Sequence, residues 1–158
     1  YTLSIAYLVI PFYLMNLLCT INLNSFPVLL GLILLIWTND TFAYIIGSKF
    51  GKTPLFERIS PKKTKEGTFG GITLTILIGF LISNFTQIDD TLFWIIASFI
   101  CGVFGIFGDL LESLFKRGLN IKDSGNILPG HGGILDRFDA VLYTVPFYYL
   151  WTQIYKLL

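Results

Sequence analysis

Apolar runs and polar breaks alternate along the chain. Residues 3–20 (LSIAYLVIPFYLMNLLCT) carry no charge and predict a first helix, with Pro11 marking a kink of the kind membrane helices tolerate. A short polar link, 21–26, leads to a second run over 26–48 (FPVLLGLILLIWTNDTFAYIIGS), interrupted only by Asn39 and Asp40. A polar loop is expected over 49–66 (KFGKTPLFERISPKKTKE). A third run follows over 67–85, whose nineteen residues span roughly 28 Å as a helix, about one hydrocarbon core. The link 86–91 (TQIDDT) precedes a fourth helix from 92 to about 117, polar in its last two turns. A loop over 118–134 and a fifth helix over 135–158, charged in its first turn, complete the pattern. No repeat, heptad or low-complexity stretch is present. The expected fold is all-α: a polytopic helical membrane protein with about five transmembrane helices, forming a single membrane-embedded domain over 1–158.

Composition agrees with this picture. The 158 residues are 54% hydrophobic and 13% charged, where a soluble domain carries about 25% charged residues. Mean hydropathy is +0.71. A formal net charge of +1 gives no global field for nucleic acid. Cys19 and Cys101 sit inside apolar runs and are expected to be buried, inert thiols. The chain opens at Tyr1 without a methionine and is expected to be part of a longer protein; no signal-peptide pattern is present. Charge also orients the helices. Of eleven Lys and Arg, six lie in 49–66 and four between Lys116 and Arg137, and the two intervening links have none. Five crossings put both basic loops on one face, and basic loops mark the cytoplasmic side.

The candidate chemistry is concentrated at that face. Asp109, Glu112, Ser113 and Lys116 are spaced to share one face of the fourth helix. Gly102, Gly105 and Gly108 just before them allow a neighbouring helix to come close. Asp136 and Asp139 lie one turn apart at the start of the fifth helix, where helix-dipole complementation accounts for one acid but not for a third, Asp109, nearby. Three carboxylates at one membrane face suggest Mg²⁺, a hard cation that takes oxygen ligands and keeps substrate phosphates in its shell. Asp40, costly in lipid, should face protein or water. Lys62, Lys63 and Lys65, with the hydroxyls of Ser60 and Thr64 and the glycines Gly67, Gly70 and Gly71, form either an anion site at a helix start or a basic loop against lipid headgroups. Residues 47–53 (GSKFGKT) do not have Walker A spacing. His131, within a Pro-Gly-His-Gly-Gly turn, suits a structural or phosphate-donor role better than a general base. Nucleophilic acyl transfer and zinc chemistry have no motif here. Phosphoryl or nucleotidyl transfer to a lipid fits, since it relies on positioning and electrostatics more than on a protein nucleophile; composition and spacing stop short of a substrate.

The stretch from Ser113 to Asp139, SLFKRGLNIKDSGNILPGHGGILDRFD, resembles the signature of the phosphatidate cytidylyltransferases, or CDP-diacylglycerol synthases. The matching positions are Ser113, Lys116, Arg117, Lys122, Asp123, His131, Gly132, Gly133, Asp136, Arg137 and Asp139. Upstream, 37–41 (WTNDT), 60–64 (SPKKT) and Gly67 are similar to family segments, so the likeness runs from about residue 30 onward and, family members being longer, implies their C-terminal, catalytic half. It implies transfer of a cytidylyl group from CTP to phosphatidate, giving CDP-diacylglycerol and pyrophosphate. It implies metal binding by Asp109, Asp136 and Asp139, to Mg²⁺ alone or with a second cation. It places Ser113, Lys116, Arg117, Ser60, Lys62, Lys63, Lys122, His131 and Arg137 around the substrates. The implied partners are CTP, phosphatidate and membrane lipid, not nucleic acid, with a homodimer as one assembly. The alternatives are a related CTP-using lipid enzyme (a polyprenol kinase or an archaeal-type CDP-lipid synthase) and, at a greater distance, a transporter. The DG-x-x-AR segment of the CDP-alcohol phosphotransferases is missing.

Overall fold

The computed structural model describes residues 2–20, 25–86, 91–119, 121, 124–125, 133 and 135–158, with side chains from Ala6 to Cys19 and from Val28 onward. The apolar runs become helices α1 (Thr2–Thr20), α2 (Ser25–Phe50), α3 (Lys65–Ser83), α4 (Thr91–Gly118) and α5 (Leu135–Leu157). Their ends fall within about two residues of the sequence expectation. Val28–Phe50, α3 and α4 are long and apolar enough to cross a membrane, and a shorter apolar helix covers Ala6–Cys19. The protein is a mostly helical membrane protein. Pro11 and Pro146 lie inside α1 and α5, and both helices run on through them.

The expected loop over 49–66 is partly ordered otherwise. Strands β1 (Pro54–Phe56) and β2 (Ser60–Thr64) pair antiparallel, Pro54 opposite Thr64 and Phe56 opposite Ser60. The helical membrane fold expected from the sequence stands, and this one hairpin is a local addition within the expected loop. Its base is tied to α3: the Glu66 carboxylate accepts from the backbone N–H of Lys52 (3.2 Å) and Thr53 (3.2 Å) and from the Thr53 hydroxyl. Thr64 caps α3, its Oγ1 accepting from the Gly67 N–H at 3.2 Å. These bonds satisfy backbone donors that a helix start and a short strand leave open.

Successive helices α2 to α5 run antiparallel. The buried face of α3 is a stripe of small residues every fourth position, Gly67, Gly71, Thr75, Gly79 and Ser83. A Cβ at Gly67 would stand 2.6 Å from the Ala43 carbonyl oxygen, and one at Gly79 would collide with Ser98. Small residues let membrane helices approach until backbones touch, where packing replaces the hydrophobic drive that lipid cannot supply. On α4, Gly102 meets Ile72 of α3, and a Cβ at Gly108 would stand 2.8 Å from the Asp139 carbonyl oxygen of α5.

The apolar core fills the other half of the bundle. Leu32, Leu35, Ile36, Phe93, Trp94, Ala97, Cys101, Val145 and Tyr148 are buried there, with Leu18 of α1. The Tyr148 hydroxyl donates to the Val28 carbonyl (3.0 Å) and the Trp151 indole to the Phe93 carbonyl (3.2 Å). Cys101 is buried as expected, but Cys19 is exposed on the outer side of α1, where an apolar run in a membrane helix is free to face lipid.

Candidate functional site

The C-terminal halves of α2 and α4, the starts of α3 and α5 and the hairpin meet at the opposite end from the aromatic core. Asp109 and Ser113 sit one turn apart on α4, the Ser113 hydroxyl donating to Asp109 Oδ1 at 3.4 Å. Asp109 Oδ2 is in direct contact with the Lys63 ammonium from β2. Strand alternation explains which lysine turns inward: Lys63 is half-buried while its neighbour Lys62 is exposed. Asp40, next to the buried Asn39 on α2, lies within electrostatic reach of Lys63 and Asp109. Asp40 itself is exposed, with those two charged groups as its electrostatic neighbours.

A second charged contact joins α4 to α5. Lys116 Nζ lies 2.9 Å from Glu112 Oε2 and 2.6 Å from Asp136 Oδ1. Asp136 also accepts from the Ser124 N–H (2.9 Å), the Ser124 hydroxyl (2.9 Å) and the Gly133 N–H (2.7 Å), so the carboxylate draws these two residues onto the start of α5. Three donors and an ammonium around one carboxylate make a strong charge-assisted set. Glu112 is only 4% exposed and its Oε1 has no hydrogen-bond donor among the described residues. It faces Asp139, itself nearly buried, whose Oδ1 accepts from the Ala140 N–H at 2.7 Å. Asp139 is in turn within electrostatic reach of Asp109 and Asp40. From α1, Tyr7 brings a buried hydroxyl to the same group, its electrostatic neighbours being Asp139, Glu112 and Tyr143.

The structure therefore brings Asp109, Ser113, Lys116, Asp136, Asp139 and Lys63 to one end of the bundle. The carboxylates do not stand as a single preformed triad: Lys63 holds Asp109 and Lys116 holds Asp136, and no three acidic, histidine or cysteine side chains among the described residues form a ready metal group. The donor set still fits a hard divalent cation, since five acidic side chains (Asp40, Asp109, Glu112, Asp136 and Asp139) lie around two ammonium groups. Ser60 is half-buried on β2, and Lys62, Arg117 and Arg137 are exposed around the rim. Lys122, Asp123 and His131 lie outside the described residues. Thr64, grouped by sequence with the anion-binding lysines, has its oxygen engaged as the α3 cap.

Sequence reasoning underrates four participants. Asn39 and Asp40 stand out in an apolar run and could have been read as one inward residue and one site-facing residue. Glu112 is visible as the i,i+4 partner of Lys116, but its burial against Asp139 depends on Gly108 letting α5 come close. Tyr7 carries no local signal at all.

The family model for the cytidylyltransferase family matches residues 1–155. The chain is 45% identical over 115 residues to a phosphatidate cytidylyltransferase from Bacillus subtilis strain 168, covering 72% of this chain and 43% of that protein. It is 47% identical over 119 residues to one from Aquifex aeolicus strain VF5 (73% and 43%), and 46% identical over 114 residues to one from Staphylococcus epidermidis strain RP62A (72% and 44%). The chain spans less than half the length of these relatives.

Proposed function

We propose, because the chain belongs to the cytidylyltransferase family, that it carries the catalytic part of an enzyme making CDP-diacylglycerol and pyrophosphate from CTP and phosphatidate. The observation that carries this reading is the gathering at one end of the bundle of ammonium and carboxylate groups from three separate stretches, Lys63 with Asp109 and Lys116 with Asp136. The similarity to phosphatidate cytidylyltransferases supports it. A phosphate oxygen of phosphatidate attacks the α-phosphorus of CTP, and the bond from that phosphorus to the bridging oxygen breaks as pyrophosphate leaves. The attacking group has a second pKa of about 6 and is mostly ionised at neutral pH, so no protein base has to deprotonate it.

The chain's own residues bind and orient. Lys63 and Lys116 are placed to exchange carboxylate for phosphate contacts, a trade between anions that needs little movement of either ammonium. Lys62, Arg117 and Arg137 at the rim, with Ser60, Lys122 and His131, complete the substrate contacts. Ser113 orients Asp109 by its hydroxyl. Asp109, Asp136 and Asp139 would hold Mg²⁺, alone or with a second cation, and their all-oxygen donor set is what makes them fit. When bound, the ion neutralises charge on the triphosphate and on the leaving pyrophosphate. Ten of the eleven basic residues fall within 49–66 and 116–137, a charge distribution that supports a cytoplasmic facing of the site in a multi-pass membrane protein.

The test is incubation of the full-length protein in lipid nanodiscs with α-labelled CTP, phosphatidate and Mg²⁺. Labelled CDP-lipid with equimolar pyrophosphate is expected. Release of labelled CDP with a newly phosphorylated lipid would replace this reading by a lipid kinase. For orientation, cysteines at Arg58 and Phe85, both exposed and at opposite ends of α3, should react from the cytoplasmic and the opposite side respectively; the reverse pattern would overturn the facing.

A further inference from the structure

Asn39 is fully buried, and neither its Oδ1 nor its Nδ2 has a hydrogen-bond partner among the described residues. A primary amide left without partners inside a helical bundle is costly, so its surroundings should hold a donor or acceptor. The amide lies between two glycines. A Cβ at Gly71 of α3 would stand 3.1 Å from Oδ1, and one at Gly105 of α4 would stand 4.0 Å from Nδ2.

The two flanks differ. Gly71 is a close-contact glycine: its Cβ would also meet Ala43 Cβ at 2.9 Å and the Asn39 carbonyl oxygen at 3.0 Å. Gly105 is not. The nearest atoms to a Cβ there are Thr144 Oγ1 at 3.9 Å, then Ala140 Cβ and Asn39 Nδ2, each at 4.0 Å. Alanine would fit at ordinary contact distance and is the better helix former. Packing therefore explains glycine at 102 and 108 of the same helix face but not at 105. Two of the three atoms around the missing methyl group are polar. An oxygen in van der Waals contact with the Gly105 Cα would sit further out than a Cβ does, nearer to both of them.

We infer that the space beside Gly105 is an internal water site. The water accepts from Asn39 Nδ2 and donates to Thr144 Oγ1, whose own proton goes to the Ala140 carbonyl at 2.6 Å and leaves its lone pairs free. Because water both donates and accepts, it serves either orientation of the amide. The bridge ties α2, α4 and α5 together one residue before Asp40. Asn39 is then a positioning residue: it fixes the rotation of α2 that keeps the Asp40 carboxylate toward Lys63 and Asp109.

Gly105→Ala and Gly105→Ser in the full-length protein test this, because the serine hydroxyl can stand in for the water and the alanine methyl cannot. Gly105→Ala should lower Tm in detergent by about 5 °C. It should lower kcat for CDP-lipid formation about tenfold, with KM for CTP unchanged, as expected of misplacement rather than lost binding. Gly105→Ser should return both values close to wild type. A purely steric role for Gly105 predicts the opposite order, with the larger serine worse than alanine, and that order overturns the inference. So does Gly105→Ala at wild-type Tm or above, the result for an empty, apolar space. In an Asn39→Leu background the difference between alanine and serine should vanish; its persistence would show that Asn39 is not the water's partner. The Tm comparison stands whatever reaction the protein catalyses.

Discussion

The two ends of this bundle are built from the same helices by opposite means. At one end Phe93, Trp94, Trp151 and Tyr155 interlock, with ring centroids 5.0 to 6.2 Å apart, and large aromatic side chains fill the contact between α4 and α5. At the other end Gly108 lets the Asp139 backbone press against α4, and the space saved is used for Glu112, Lys116, Asp136 and Asp139. Aromatic packing supplies dispersion contacts that hold the helices whatever the substrate does. The charged end crowds acidic groups together, and burying the Glu112 carboxyl, one oxygen of which has no hydrogen-bond donor among the described residues, costs free energy rather than contributing it. One half stabilises the fold and the other uses part of that stability to keep charged groups together at the end where the proposed transfer takes place.

The largest effects should separate the halves. Trp94→Ala removes a fully buried indole and should cost about 3–5 kcal/mol of stability, with activity lost only in step with the folded fraction. Asp109→Asn and Asp139→Asn keep side-chain shape and remove a charge. They should cut kcat/KM for CDP-lipid formation by at least about a hundredfold while Tm holds or rises. Paired measurement of Tm and turnover checks both. An aspartate variant that loses Tm and activity together would erase the distinction drawn here.

A smaller contrast lies within the basic hairpin. Lys63 contacts Asp109, whereas Lys62 on the opposite strand face and Lys49 at the end of α2 are exposed. Lys63→Ala should lower kcat/KM for CTP about tenfold or more, Lys62→Ala severalfold and Lys49→Ala hardly at all. Equal mild losses for all three would mean that the hairpin only attracts the polyanion through its summed charge.

How much could be read beforehand also divides between the ends. The helices were legible because a membrane demands long uncharged runs, and α4 and α5 begin and end close to where those runs do. Asp109, Ser113, Lys116 and the two acids of α5 were legible from helical spacing and from the family signature. The hairpin was not: PLFERISPKKT has neither alternation nor a turn dipeptide, and its strands depend on Glu66 and Thr64 tying them to α3. The small-residue stripe of α3 was open to view at i+4 spacing, but Gly67 and Gly71 also fit an anion-binding turn, and only the contact with Ala43 and Asn39 decides between them. Which lysine meets which acid is a tertiary fact with no local signal.

The smallest expected effect tests where the structural half ends. Thr64 lies in the SPKKT segment beside two lysines assigned to phosphate, yet its Oγ1 accepts from the Gly67 N–H and its side chain packs on Gly51. If it belongs to the framework, Thr64→Ala should cost about 1 kcal/mol through the lost cap, a few degrees in Tm. KM for CTP should stay near wild type, because the neighbouring ammonium groups remain in place. Thr64→Ser should recover most of the loss, since serine caps as well as threonine and gives up only one methyl contact. A several-fold rise in KM for CTP with Tm unchanged would move Thr64 into the charged half, with its hydroxyl on a phosphate oxygen and the start of α3 open to the nucleotide. The boundary between the two ends then falls at one hydroxyl group, and comparing Tm with KM across these two variants locates it.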